Sequence, residues 1–234
     1  MYKIETHLHT TDTSQCGCLE VERILELYKK NEYDAICVTD HYNMETWNYK
    51  KVDIYSSSNK LDAFLEGYYK MKEASKAYDI QIILGAELRF FENKNDYLFY
   101  GFDPKLLEEP REIMEMGIVE FSKLARETGG FIVQAHPFRS NGSGCVPVAP
   151  MFVDGIEVVN NNPRHNSYND RALLLAQTYG LAMTAGSDCH QEGDEGTAGI
   201  ISKILPKNNF EMADLLRSGN YKPVSYTHLT LPTT

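Results

Sequence analysis

Apolar and polar positions follow two periods along the chain, and the switches between them mark out strand-like and helix-like stretches. The first stretch, Tyr2-Lys3-Ile4-Glu5-Thr6-His7-Leu8-His9, is extended and carries two histidines two positions apart. After a polar loop from Thr11 to Gly17, Val21, Ile24, Leu25 and Tyr28 keep the i, i+3, i+4, i+7 spacing of a helix with one buried face. Ala35-Ile36-Cys37-Val38-Thr39 is a short apolar run that reads as a fully buried strand, ending at Asp40-His41. Residues 42–59 show no period and are expected to form a long loop over the mouth of a site. Leu61 to Tyr78 turns helical despite Gly67, and Ile80 to Ala86 is a third strand that ends in Glu87.

A turn at residues 92–95 leads into a strand from Tyr97 to Gly101. Ile113 to Thr128 forms an amphipathic helix that Gly129-Gly130 ends, since glycine takes the left-handed conformation after a last turn. Phe131 to Ala135 is a strand closed by His136-Pro137, Gly155 to Val159 another, Ala172 to Tyr179 a helix, and Leu181 to Gly186 the strand before Ser187-Asp188-Cys189-His190. This alternation predicts an α/β fold whose parallel strands are joined by crossover helices. With about seven such units, the expected architecture is a TIM-like barrel, a single (β/α)7 domain with functional groups at the C-terminal ends of its strands. A doubly wound open sheet is the alternative, and it would gather its site at one switch point. Residues 1–222 read as the domain and 223–234 as a tail, non-native or disordered, so His228 is given no role.

The length of 234 residues suits one large α/β domain. No apolar run approaches a bilayer span, and the first residues lack the layout of a signal peptide. A net charge of −10 argues against a nucleic-acid duplex as partner, because phosphate neutralisation needs a basic face. Five cysteines, at 16, 18, 37, 145 and 189, include no C-x-x-C pair and suit reduced thiols in the cytoplasm better than a disulfide framework. Cys37 belongs to the core pattern; Cys16 and Cys18 are either a C-x-C metal pair or part of a polar loop.

The candidate chemistry lies at the strand ends. His7 and His9 point the same way on an extended backbone, so one divalent cation can be gripped by both, unless they are only the polar face of a half-buried strand. What favours metal is repetition: His41, His136 and His190 each follow an apolar run, as do Glu87 and Asp188. Imidazole and carboxylate donors together suit Zn, Mn or Fe, whereas Mg or Ca prefers oxygen alone. Glu87 could bridge two ions about 3.5–4 Å apart, a spacing that activates a shared hydroxide and steadies a leaving oxygen. Asp40, beside His41, is a candidate to orient a ligand. Arg139 and Arg164 could fork onto phosphate oxygens, the alternative for each being a surface ion pair, and His165 reads as a loop histidine.

The ordered series His7-x-His9, His41, Glu87 in GAELRF, His136 in AHPFR, and Asp188-x-His190 in GSDCH resembles the polymerase and histidinol phosphatase (PHP) family over roughly residues 2 to 200. The resemblance implies a distorted seven-stranded barrel and phosphoester hydrolysis at two or three metal ions. By motif position it implies that His7, His9, Glu87 and Asp188 hold one ion, that His41 and His190 serve another, and that His136 serves the ion bridged by Glu87. On this reading Glu87, Asp188 and Arg139 carry catalysis, Arg139 and Arg164 bind substrate, and the substrate is a small phosphorylated metabolite or nucleotide. Two departures stand out: Cys16 lies near the point where the family often places an aspartate ligand, and Asp96-Tyr97 stand where many members have a histidine. An amidohydrolase-type barrel, which would call for a bridging lysine where Glu87 stands, and a non-catalytic metal-binding regulatory domain are the competing functions. The oligomeric state is not legible in the sequence.

Overall fold

A computed structural model describes residues 1–226 apart from 141 and 143. In chain order its first elements are β1 (Tyr2–Leu8), α1 (Val21–Lys30), β2 (Ala35–Val38), β3 (His41–Tyr42), α2 (Met44–Tyr49), α3 (Lys60–Ala74), β4 (Gln81–Leu84), β5 (Ala86–Leu88) and β6 (Tyr97–Tyr100). There follow α4 (Pro110–Glu127), β7 (Phe131–Gln134), β8 (Gly155–Asn160), α5 (Asn169–Tyr179), β9 (Ala182–Gly186), β10 (Ala198–Ser202), α6 (Asn209–Ser218) and β11 (Tyr221–Ser225). They build a mixed α/β fold with two sheets, ordered β11-β10-β1-β2-β4 and β3-β5-β6-β7-β8-β9.

The uniformly parallel sheet expected from the alternation is not what forms. β6 runs antiparallel to both β5 and β7, and β10 antiparallel to β1 and β11. Residues 89–96 are too short a link for a crossover helix, so the chain can only turn back from β5 into β6. The expected loop over residues 42–59 is also corrected, because it contains α2. Asn43 caps that helix by accepting from Thr46 N at 2.9 Å, and Trp47 is buried edge-on against Tyr42 at 5.0 Å. Six residues are too few to display a helical period.

The third apolar run is split at Gly85. A Cβ there would lie 2.8 Å from Thr39 Cγ2, so only glycine lets the chain pass this point from β4 in one sheet to β5 in the other. The pairing continues across the break, with Gly85 N donating to Val38 O at 2.8 Å and Glu87 N to Asp40 O at 3.0 Å. On the opposite flank Leu8 bridges to Cys189, and His9 N donates to Cys189 O at 3.0 Å, joining β1 to the segment after β9. Ile4, Cys37, Ile83, Leu98 and Val133, drawn from strands of both sheets, pack in one cluster with Met212 and Leu216 of α6.

Pro223 to Ser225, set aside as tail by the sequence pattern, pair with Ile200, Gly199 and Ala198 as part of β11. Residues 227–234, His228 among them, lie outside the described residues. No helix among the described residues is long and apolar enough to cross a membrane.

Candidate metal centre

All seven candidate ligands converge. His7 and His9 come from the end of β1, His41 opens β3, Glu87 sits in β5, His136 follows β7, and Asp188 and His190 follow β9. The two oxygens of Glu87 divide the site. Oε1 lies 3.3 Å from His7 Nε2 and 3.1 Å from His136 Nε2; Oε2 lies 3.3 Å from His9 Nε2 and 2.7 Å from His41 Nδ1. Asp188 Oδ1 is 3.5 Å from His7 Nε2 and 3.4 Å from His9 Nε2, which are 3.1 Å from each other. Ring nitrogens of His9, His41 and His190 form a further group whose members lie within 4.8 Å of one another.

These spacings fit a cation. A tetrahedral ion with ligands at about 2.0–2.1 Å separates its donors by roughly 3.3–3.4 Å, the separation seen around His7, His9, Glu87 and Asp188. His41 Nδ1 and Glu87 Oε2 approach to 2.7 Å without making a hydrogen bond, and both atoms are buried. The imidazole and carboxylate donors present suit a transition metal.

The titration of the site is divided: burial opposes charging the rings of His7 and His41, yet the carboxylates beside them hold both well above the usual imidazole value, whereas His9 goes the other way. Burial opposes ionising Glu87 and Asp188, yet the surrounding histidines hold both well below the usual carboxylate range. Burial, with His41 and His190 nearby, keeps His9 well below the usual imidazole value, so its ring is neutral and a lone pair is available. His7 is turned by Glu157, whose Oε1 stands 2.9 Å from Nδ1, and its Nε2 lies toward Glu87 and Asp188. Glu157 also accepts from His136 N at 2.9 Å and Asn160 Nδ2 at 3.0 Å. Sequence reasoning passed over Glu157, although a glutamate in the middle of the apolar run 155–159 was a visible anomaly.

Asp40 does not touch a candidate ligand's ring. It accepts from Thr10 N at 2.7 Å, Thr10 Oγ1 at 2.8 Å and Ser14 Oγ at 2.7 Å, and Ser14 Oγ in turn accepts from His41 N at 2.9 Å. The backbone is strained at two of the seven positions, His136 at φ 28° and Asp188 at φ 52°, conformations that cost on the order of 1–3 kcal/mol each.

Arg139 is no surface residue: only 11% exposed, it donates through Nη2 to Asp96 Oδ2 at 2.9 Å, and its Nη1 lies 3.2 Å from His136 Nε2. Asp96 also takes a fork from Arg89, at 2.7 and 2.9 Å. Arg164 is turned toward Asp194 at 2.6 Å, and Asp194 also accepts from His190 N at 3.1 Å. His165 faces the His136 ring edge-on at 6.1 Å, and burial lowers its pKa to about 4. Cys16 stands at the rim; desolvation raises its thiol, and the neighbouring His41 and His190 rings outweigh that and bring it down to about 6.

A family model described as PHP domain matches residues 5–213. No curated protein sequence matches the chain at a significant level. Among solved structures the fold is similar to a two-domain protein from Bacteroides vulgatus described as containing a predicted PHP-like metal-dependent phosphoesterase (TM-score 0.64, 18% identity), over 96% of this chain and 64% of that one. The chain therefore spans less than two thirds of that relative's length. It is also similar to PsfC from Pseudomonas syringae (TM-score 0.63, 22% identity, 85% and 80% covered) and to an amidohydrolase from Chromobacterium violaceum with bound sulfate and no metal (TM-score 0.54, 14% identity, 96% and 98% covered).

Proposed function

Since the chain belongs to the PHP domain family, we propose that it is a metal-dependent phosphoesterase that hydrolyses the phosphate ester of a small phosphorylated metabolite or nucleotide. The observation that carries this reading is the division of Glu87, whose Oε1 faces His7 and His136 while Oε2 faces His9 and His41. A carboxylate so placed spans two neighbouring donor sets, with Asp188 completing one and His190 the other. Two or three Zn, Mn or Fe ions bound there would lower the pKa of water and polarise a phosphoryl oxygen. Glu157 holds the His7 ring in the ligating tautomer, and Asp188, kept ionised, is placed to orient the attacking water.

Arg139 supplies the substrate side. An imidazole nitrogen has one lone pair, so His136 Nε2 cannot both ligate a cation and accept from Arg139 Nη1. A cation held by His136 Nε2 would take that lone pair and leave the Arg139 N–H for a non-bridging phosphate oxygen, while Asp96 keeps the rest of the guanidinium in place. Arg164, held by Asp194 near His190, is the second candidate for such a contact. The bound sulfate of the Chromobacterium protein is a tetrahedral oxyanion of the same shape. We also read the two sheets, of five and six strands, as the wall of one distorted barrel. The shared cluster of inward apolar residues, the pairing across Gly85 and the Leu8–Cys189 bridge support that reading. Five cysteines without a disulfide among the described residues suit a cytoplasmic protein.

The test is metal analysis of the purified protein beside a panel of phosphate monoesters, diesters and amides. The parent should contain at least two transition-metal ions and hydrolyse a phosphate ester; His9→Ala should lose both properties with an unchanged circular dichroism spectrum. Full activity in a verified metal-free sample refutes the proposal. Amide hydrolysis alone would favour the amidohydrolase reading, and bound metal with no hydrolysis a regulatory domain.

A further inference from the structure

Arg89 follows β5 and was given no role by its place in the sequence. Its Nε and Nη2 fork onto Asp96, while Nη1 has only Glu45, 3.7 Å away and beyond hydrogen-bond reach. The side chain is 18% exposed and opens into a cavity of about 390 Å³ that it shares with Cys16, His41, Asn43, Thr46 and the carboxylate of Glu45. Asp96 Oδ2 accepts from Arg89 Nη2 and from Arg139 Nη2, both at 2.9 Å, so one buried carboxylate sets the spacing of two guanidinium groups. On Arg139 the buried Nε has no partner. Glu45 pairs with Arg89 Nη1 at 3.7 Å, so the two arginines are balanced by Asp96 and Glu45, and an incoming anion competes with Glu45 for Nη1. Two guanidinium groups spaced by one carboxylate, an unpartnered Nε on Arg139, an Nη1 on Arg89 that Glu45 does not reach by hydrogen bond, and an open cavity beside His41 describe a place for an oxyanion.

We propose that Arg89 is a second oxyanion-binding residue, which holds the substrate's phosphoryl group from the cavity shared with His41 while Arg139 holds it beside His136, and that Asp96 positions both. The inference rests on the phosphoesterase reading and extends it to residues outside the candidate ligand set. The competing role for Arg89 is structural, because its ion pair with Asp96 also ties the end of β5 to the start of β6.

Inorganic phosphate is the probe, titrated calorimetrically into the metal-loaded parent and variants. Arg89→Lys keeps a charge for Asp96 and hence the tie, but loses the fork. It should weaken phosphate binding on the order of 10–100-fold and raise KM more than it lowers kcat, with metal content unchanged. In Arg89→Ala, added guanidinium should restore part of the phosphate affinity, which a purely structural role would not allow. Asp96→Asn should weaken phosphate binding by loosening both arginines, and Arg89→Lys should add little on top of it. Arg89→Lys that binds phosphate as tightly as the parent overturns the proposal, as does a loss of phosphate binding that only tracks loss of metal. If the parent hydrolyses phosphate esters and Arg89→Lys matches it, the Arg89 assignment alone falls. A parent that neither binds phosphate nor hydrolyses its esters removes both.

Discussion

Gly67 sits inside α3, where helix propensity alone favours alanine by about 1 kcal/mol. The structure predicts the opposite outcome for Gly67→Ala. A Cβ at this position would lie 2.0 Å from Thr10 Oγ1 and 2.6 Å from Asp40 Oδ2, far inside contact distance, so Thr10 and Asp40 must move. Thr10 donates to the buried Asp40 carboxylate through N at 2.7 Å and Oγ1 at 2.8 Å, and hydrogen bonds to charged groups are worth about 1.5–3 kcal/mol each. Overpacking of this kind costs about 1–3 kcal/mol even when the surroundings relax. The steric cost therefore exceeds the propensity gain, and a net loss of about 1–3 kcal/mol is expected, with a drop of about 2–4 °C in melting temperature for each kcal/mol. The damage should reach the metal centre, since Asp40 holds Ser14 and Ser14 accepts from His41 N. Losing such outer support commonly lowers metal affinity about 10–100-fold. Urea denaturation of the metal-free protein measures the first effect and competition with a chelating dye the second. Thr10→Gly, placed in the Gly67→Ala background, should recover part of the stability. If Gly67→Ala is as stable as the parent and binds metal as tightly, the reasoning is refuted.

Two further predictions concern groups close to the ligands. Glu5 accepts from His7 N, Ser187 N, Tyr28 Oη and Ser187 Oγ, and burial pushes its carboxyl from 4.5 to about 7. Between those values the folded chain keeps a proton that the unfolded chain releases, so stability falls as pH rises, by up to about 1.4 kcal/mol per unit. Glu5→Gln should flatten that slope in the metal-free protein, and denaturation curves with an unchanged slope would contradict it. Cys16→Ser should shift metal preference away from zinc at the His9, His41 and His190 group, because a thiolate is the softer donor. In the cobalt-substituted protein, the near-ultraviolet sulfur-to-metal band should disappear in this variant; identical spectra would remove Cys16 from the site.

Much of the site was legible because a buried strand announces itself as an apolar run, and a histidine or carboxylate after it stands at the strand's end. That logic finds His41, Glu87, His136 and Asp188, and it misses Glu157, which lies within its strand and acts on the site through His7. Arg139 looked like surface charge or a substrate clamp; its partner Asp96 is distant in sequence and cannot be read from either segment. The strands were found more surely than their directions, since direction depends on which strands pair, and the mixed sheets follow from links such as residues 89–96. α2 was hidden by its length, and its cap at Asn43 was the one local cue.

The bridge between Leu8 and Cys189 also sets a timetable. His7 and His9 belong to the first strand, while Asp188 and His190 lie some 180 residues later. At about 5–20 residues per second, a ribosome takes roughly 10–40 s to make the chain between them. Over that interval the two histidines are in the growing chain without their late partners, and only β2 and the strands after it can shield β1. A cation met early finds a two-imidazole site, weak and unselective. The complete candidate donor set exists only once the segment after β9 has been made and docked, so selection of a cation by that set would belong to the last stage of folding.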